Sequence, residues 1–130
     1  MNKFYVWAVA LLSIALIVPA CKDHNHDEDT AAPEVTIHTP TENESVTGEV
    51  HMEITVTDLS LHEMEVKVTK DSDGSTLYLD APTVHDKTEY DYHEHFVPTV
   101  TEETPVTLMV TVSDHSDHTT TKTVKFTVKP

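Results

Sequence analysis

The sequence predicts an all-β fold in which seven short antiparallel strands form a two-layered sandwich. Apolar residues alternate with polar ones in most segments after residue 33, which is the period of a strand with one buried face. Polar turn sequences separate these segments at close intervals, and no segment has the period of a helix. The 21 Thr residues suit strands. We therefore expect residues 34–130 to form one β domain.

The clearest elements are the last two strands, which form a predicted hairpin. The alternation in 106–112 stops at the polar turn 114–118 and resumes in 124–128. We expect Val110 and Phe126 to lie on its buried face, since each stands in the middle of an apolar alternation.

Five further strands are expected earlier in the domain. They are predicted near residues 35–37, 50–57, 64–68, 77–79 and 88–97, with 41–48 and 58–61 as connections. Gly74 is placed for a positive φ in the turn between the third and fourth of these five. In 88–97, either the aromatic residues point inward with Glu94 at the rim, or a bulge shifts the register.

Residues 1–20 are predicted to be a cleaved signal peptide. Lys3 precedes an apolar run of about fifteen residues, shorter than the roughly 20 that a membrane span needs. Cys21, the single cysteine, follows Val18-Pro19-Ala20, and this run resembles a bacterial lipobox although Pro19 departs from the usual small residue. The resemblance implies that Cys21 is lipidated and anchors the protein to a membrane. The alternative is an ordinary signal peptide that leaves a free thiol.

Residues 21–33 are predicted to be the lipidated Cys followed by a disordered, acidic, His-containing tether. Asp, Glu, Asn and His dominate the segment and it has no apolar period, so it cannot bury enough surface to order itself. An acidic stretch after a lipidated Cys resembles the export signal of Bacteroidetes-type surface lipoproteins. The predicted location is therefore the cell-surface side of the outer membrane, with the periplasmic side as the alternative.

The net charge restricts the classes of partner. Without residues 1–20 the chain carries 7 Lys and no Arg against 23 acidic residues. The charge argues strongly against nucleic acid or anionic lipid headgroups as partners, because phosphate needs cations to meet it.

The hairpin sequence VTVSDHSDHTTTKTVKFTV resembles the last two strands of bacterial immunoglobulin-like and fibronectin-III-like modules. Val56-Thr57-Asp58, followed by Leu61 and Val66, is similar to the passage from their second strand to their third. With the lipobox and the histidines, the chain resembles uncharacterised His-rich Bacteroidetes-type lipoproteins with one such domain. The resemblance implies an immunoglobulin-like β-sandwich that serves as a binding or scaffold module.

Ten histidines make transition-metal binding the main chemical hypothesis. His93 and His95 are two residues apart in a predicted strand with Asp91 beside them, so their side chains leave one face and suit Zn²⁺ or Cu²⁺. The other interpretation is an ordinary solvated strand face.

A second candidate metal site lies at the predicted final turn. In an immunoglobulin-like topology this turn is near the connection from the second to the third strand, which places six residues at one end of the sandwich: Asp58, His62, Asp114, His115, Asp117 and His118. Local hydrogen bonding in the turn would also explain its Asp residues. His24 and His26 are weak candidates, because ordering a flexible tail opposes metal capture.

No catalytic set is evident, so the protein is predicted not to be an enzyme, and no cofactor other than Zn or Cu is expected. Two hypotheses follow from the sequence. The protein is a metal-binding lipoprotein, or it is a structural or adhesion-type module that binds protein or glycan without metal.

Overall fold

A computed structural model describes residues 29–130, and all of the regular structure in this range is β. The predicted signal peptide, Cys21, His24 and His26 lie outside the described residues. The described range contains no helix able to cross a membrane.

Eight strands alternate with turns along the described chain. In order they are β1 (Glu34–Thr39), β2 (Ser45–Thr47), β3 (Val50–Thr57), β4 (Leu61–Lys70), β5 (Thr76–Asp80), β6 (Glu89–Phe96), β7 (Thr104–Asp114) and β8 (Thr119–Lys129). Gly74 has the positive φ that the turn between β4 and β5 requires.

The strands form two sheets, one with the order β1-β3-β6 and the other with the order β2-β8-β7-β4-β5. Neighbouring strands are antiparallel, except that β2 runs parallel to β8. Side chains from both sheets form one buried apolar cluster. The predicted all-β sandwich is confirmed.

The alternation read from the sequence defines the two faces of each long strand. In β7 the four residues Val106, Leu108, Val110 and Val112 are fully buried, and Phe126 of β8 is 3% exposed. The predicted inner face of the closing hairpin is confirmed. β3 buries four apolar residues in the same way and leaves its polar residues on the outer face.

β6 pairs with β3 in continuous register from Glu89 to Phe96, so no bulge shifts its faces. Tyr92 is 1% exposed and Glu94 remains exposed at the rim, as the first of the two alternatives expects. The Tyr92 hydroxyl donates to Asp80 Oδ2 at 3.0 Å and lies 2.7 Å from the Tyr78 hydroxyl. Burial, followed by these hydrogen bonds, raises the pKa of Tyr92.

Two details differ from the sequence-based expectation, and the inward face of β5 was not predicted. The segment 41–48, predicted as a connection, contains β2, which has a single apolar residue and so no visible period. The described chain therefore has eight strands and not the seven predicted, and β2 pairs in parallel with β8 although all strands were expected to be antiparallel. Leu61 begins β4 and is fully buried, although it was expected in a connection. In β5 it is Tyr78 that packs against Phe96 of the opposite sheet, with ring centroids 4.8 Å apart, while Leu79 is 59% exposed.

Residues 29–33, the last part of the predicted tether, contact the domain. Pro33 is buried, and its carbonyl accepts a hydrogen bond of 2.6 Å from the Thr120 hydroxyl. Asp29 lies beside Asp58 and Asp114 at the same end of the sandwich.

Candidate metal centres

Three connections meet at one end of the sandwich and are joined by backbone hydrogen bonds. They link β3 to β4, β5 to β6, and β7 to β8. Leu61 N donates to Lys87 O at 2.8 Å, and Asp86 N donates to Leu61 O at 2.9 Å. His115 N donates to Ser60 O at 3.1 Å. Val84 is 1% exposed and anchors the loop between β5 and β6 in the core.

This arrangement brings three histidines together, one from each segment: His62 of β4, His85 of the loop, and His115 of the final turn. We refer to them as the loop triad. One ring nitrogen of each lies within 4.8 Å of the other two. The three ring centroids are separated by 4.6 to 5.2 Å, and the ring planes are inclined to one another by 51° to 72°.

Carboxylates face the Nε2 atoms of the loop triad. His115 Nε2 lies 3.0 Å from Asp86 Oδ1, and His85 Nε2 lies 3.5 Å from Asp86 Oδ2. His62 Nε2 is 3.9 Å from Glu63 Oε1. The Asp86 carboxylate thus lies beside the Nε2 atoms of His85 and His115, where it favours a proton on Nε2, whereas Glu63 is too far from His62 Nε2 to accept a hydrogen bond.

The Nδ1 atoms of His62 and His85 lie 3.2 Å apart. Two nitrogens bound to one zinc ion at about 2.0–2.1 Å and at the tetrahedral angle lie about 3.3–3.4 Å apart. This separation is that of an N–H···N hydrogen bond between the two rings, and it is also within about 0.2 Å of the separation of two nitrogens that share a zinc ion. His62 and His85 border a groove of about 710 Å³ between the loop from β5 to β6 and the outer face of β4 and β7.

A second group of histidines lies on the outer face of the three-stranded sheet. It consists of His51 of β3 with His93 and His95 of β6, and we refer to it as the sheet triad. His51 pairs directly with His95, and one ring nitrogen of each of the three lies within 4.8 Å of the others. His51 stacks on His93 at 4.4 Å and 7°, and on His95 at 4.4 Å and 27°.

The carboxylates near the loop triad form a separate cluster of Asp29, Asp58 and Asp114. Burial is the largest influence on Asp114 and raises its pKa, but hydrogen bonds from the His118 ring, His118 N and Ser116 N together lower that pKa. Burial raises the pKa of Asp58 despite a hydrogen bond from Ser60 N, and the charges of Asp29 and Asp114 add to the rise. The Asp114 carboxylate thus accepts its hydrogen bonds from residues of its own turn.

The six residues predicted at this end lie near one another, but the structure divides them between groups. His62 and His115 belong to the loop triad, whereas Asp58 and Asp114 belong to the carboxylate cluster. His118 Nδ1 lies 2.7 Å from Asp114 Oδ2. Asp117 belongs to none of the clusters found among residues 29–130 and has a φ of 64° in the turn.

On the sheet face, His93 and His95 lie together as predicted, while Asp91 accepts a hydrogen bond of 2.9 Å from the Thr55 hydroxyl and is outside the triad. Sequence reasoning missed His51 and His85. His51 could have been found from the predicted outer face of 50–57. His85 lies in an irregular segment that gives no signal.

No protein-family model matches the chain, and no curated protein sequence matches it. Among solved structures, an engineered protein shares 17% identity over 75% of this chain, with a TM-score of 0.54, and the chain spans only 20% of its length. Murine CRIg has a TM-score of 0.43 at 16% identity, covering 74% of this chain and 97% of its own. A Niemann-Pick type C2 protein from the Japanese carpenter ant has a TM-score of 0.42 at 18% identity, covering 78% of this chain and 96% of its own.

These likenesses concern the fold alone. The described residues form an immunoglobulin-like β-sandwich with the strand orders β1-β3-β6 and β2-β8-β7-β4-β5, and their surface carries two histidine triads.

Proposed function

We propose that the protein is a non-catalytic binding module that holds one divalent transition metal ion, Zn²⁺ or Cu²⁺, in the loop triad. The observation that carries the proposal is the 3.2 Å separation of the His62 and His85 Nδ1 atoms, with the Asp86 carboxylate beside the Nε2 atoms of His85 and His115. Imidazole suits both metals, and an accepting carboxylate on the far nitrogen is the usual support of a metal-bound histidine.

The backbone supports this proposal as well. The three histidines come from segments that hydrogen bonds already hold together, so little chain entropy opposes their convergence on an ion. The tilted ring planes allow three lone pairs to meet at one point. The acidic surroundings attract a cation.

The proposal includes a location and an anchor, which rest on the sequence. Cys21 would carry the lipid, and the acidic residues after it would direct the protein to the outer face of the outer membrane. The membrane is then a partner only through the lipid. No nucleic acid partner is proposed, because the chain has no Arg and a strongly negative charge.

Calorimetric titration with Zn²⁺ tests the proposed site. The reference chain is residues 21–130 with Cys21→Ser, His24→Ala and His26→Ala, which removes the lipid and the tail histidines. We expect one tight equivalent at about pH 7.4 and weaker binding at about pH 5.5, because protons compete for imidazole. Zn²⁺ at about 100 times its Kd should stabilise the fold by about 2.7 kcal/mol.

The variant His62→Ala/His85→Ala should lose the tight equivalent and the thermal stabilisation. His38→Ala is the matched control, because His38 is an exposed histidine whose Nε2 contacts the Thr55 hydroxyl at 3.0 Å and which belongs to neither triad. Unchanged Zn²⁺ affinity in the double variant contradicts the proposal. Protein or glycan binding would then be the better hypothesis, with the exposed Leu59, Leu79 and Val97 as the first residues to test.

A further inference from the structure

We propose that the sheet triad is a second, independent site for a divalent transition metal, weaker than the loop triad and open to solvent. His93 and His95 leave one face of β6, and His51 faces them from the adjacent strand. This arrangement places three imidazoles on a rigid sheet without any contribution from a loop. It does not depend on the loop triad, which lies beyond the other end of β3.

A buried orphan atom points to a ligand at the sheet triad. The Nε2 atom of His51 is inaccessible to solvent and has no hydrogen-bond partner among the described residues. A buried ring nitrogen without a partner is costly, and a metal ion bound there would satisfy it. His95 Nδ1 lies 3.6 Å from Glu49 Oε2, which leaves Nε2 of that ring for the same ion.

The charge around the sheet triad favours a cation. β1, β3 and β6 contain no Lys or Arg, and their outer face carries Glu34, Glu53, Glu89 and Asp91 besides the histidines. The electrostatic potential at this face is therefore negative and attracts an incoming cation.

The stacking of the rings determines the strength of the site. The lone pairs of stacked imidazoles lie in separate, nearly parallel planes, so the rings must rotate before the lone pairs can point at one ion. His93 and His95 are exposed and have room to turn, but ordering them opposes binding. We therefore expect the sheet triad to bind at least about tenfold more weakly than the loop triad, and to exchange its ion readily because its face is solvated.

Titration of the same reference chain with Zn²⁺ and with Cu²⁺ tests this inference. The reference should bind a tight and a weak equivalent. His51→Ala should abolish the weak one only, and His62→Ala/His85→Ala should abolish the tight one only. The variant with all three changes should bind neither, and His38→Ala should bind both. Circular dichroism melts of the metal-free variants establish that each is folded, and His93→Gln serves as a second variant of the sheet triad.

Paramagnetic broadening by Cu²⁺ in amide NMR spectra provides a readout of position. In His62→Ala/His85→Ala, the remaining ion should broaden resonances around His51 and His95. A single equivalent in the reference chain that His51→Ala and His93→Gln leave unaltered would overturn the inference. Failure of the proposed loop site gives a different result, in which the weak equivalent survives and no tight one is observed in any variant.

Discussion

At the scale of single residues, Asp114 is a charged side chain that the fold buries almost completely, at 1% exposure. Its Oδ1 accepts hydrogen bonds from Ser116 N and His118 N at 2.8 Å, and its Oδ2 contacts the His118 ring. A buried carboxylate costs stability unless it is paired and hydrogen-bonded in this way. Asp114 therefore has a structural role, since it holds the turn that carries His115.

The Asp114–His118 pair predicts a pH-dependent contribution to stability. The hydrogen bond from His118 to Asp114 raises the pKa of His118 above 6.5, and the pKa of Asp114 is lowered below 3.8. Because the pKa of His118 is raised in the folded state, the protonated ring stabilises the fold fully below pH 6.5. This stabilisation is lost as pH rises through the pKa of His118 in the folded state. Because the pKa of Asp114 is lowered in the folded state, its ionised carboxylate stabilises the fold fully above pH 3.8. This stabilisation is lost as pH falls through the pKa of Asp114 in the folded state.

We therefore expect the stability difference between the parent chain and His118→Gln to be largest between pH 3.8 and pH 6.5 and to shrink above that window. Urea unfolding midpoints across this range measure it in metal-free buffer, with His38→Gln as the control. A difference that grows from pH 6.5 upward would show that His118 is not held in its charged form.

At the scale of elements, the loop from β5 to β6 depends on Asp86. Its φ of 61° is a left-handed conformation that Asp and Asn tolerate better than most residues. Its carboxylate contacts the rings of His85 and His115. The same residue thus turns the backbone and orients two of the three proposed ligands.

Asp86→Asn should keep the turn and weaken Zn²⁺ binding at the loop triad by about 10- to 100-fold, as is typical when an orienting carboxylate is lost. Asp117→Asn is the matched control, because Asp117 has a φ of 64° in the neighbouring turn and lies outside the triad. Calorimetric titration of both variants measures the effect. Equal affinities in the two variants would mean that Asp86 only shapes the loop.

The closing hairpin supplies much of the core through β7 and β8. Phe126→Ala should destabilise the fold by about 3–5 kcal/mol, because the side chain is buried between the sheets and leaves a cavity. Val97→Ala, at a site that is 70% exposed, should change stability by less than about 0.5 kcal/mol. Urea denaturation of both variants measures the difference, and an unmoved midpoint in Phe126→Ala would mean that its burial contributes little.

At the scale of the whole molecule, the two triads lie at opposite ends of β3. His51 is near the start of this strand and His62 follows shortly after its end, which separates the two by roughly 20 Å at about 3.3 Å per residue. The Lys residues of the described strands are all in the five-stranded sheet, in β4 and β8. The three-stranded sheet therefore presents an acidic, His-rich face.

Anchoring at Cys21 gives a prediction for the whole protein in the cell. Cys21→Ala should abolish labelling with palmitate and leave an unprocessed precursor, since the thiol is the proposed site of acylation. Protease treatment of intact cells tests the surface location of the parent chain. Persistent acyl labelling in the Cys21→Ala protein would exclude the proposed anchor.

The all-β class, the faces of the long strands and the neighbourhood of the final turn could be predicted from the amino-acid sequence. The class and the strand faces follow from local alternation, because successive side chains of a strand point to opposite faces whatever else surrounds it. The pair His93 and His95 was predictable for that reason. So was the burial of Val110 and Phe126, since the apolar face of a hairpin must be covered. The neighbourhood of the final turn was expected from the resemblance to an immunoglobulin-like topology.

Which histidines meet depends on contacts between distant parts of the chain. His51 joins its triad through the register between β3 and β6, and His85 joins its triad through backbone hydrogen bonds from an irregular loop to β4. The short β2 forms because it pairs with β8. Leu79 faces outward because Tyr78 packs against the opposite sheet. These contacts join residues far apart in the chain, so no periodic pattern in the local sequence predicts them.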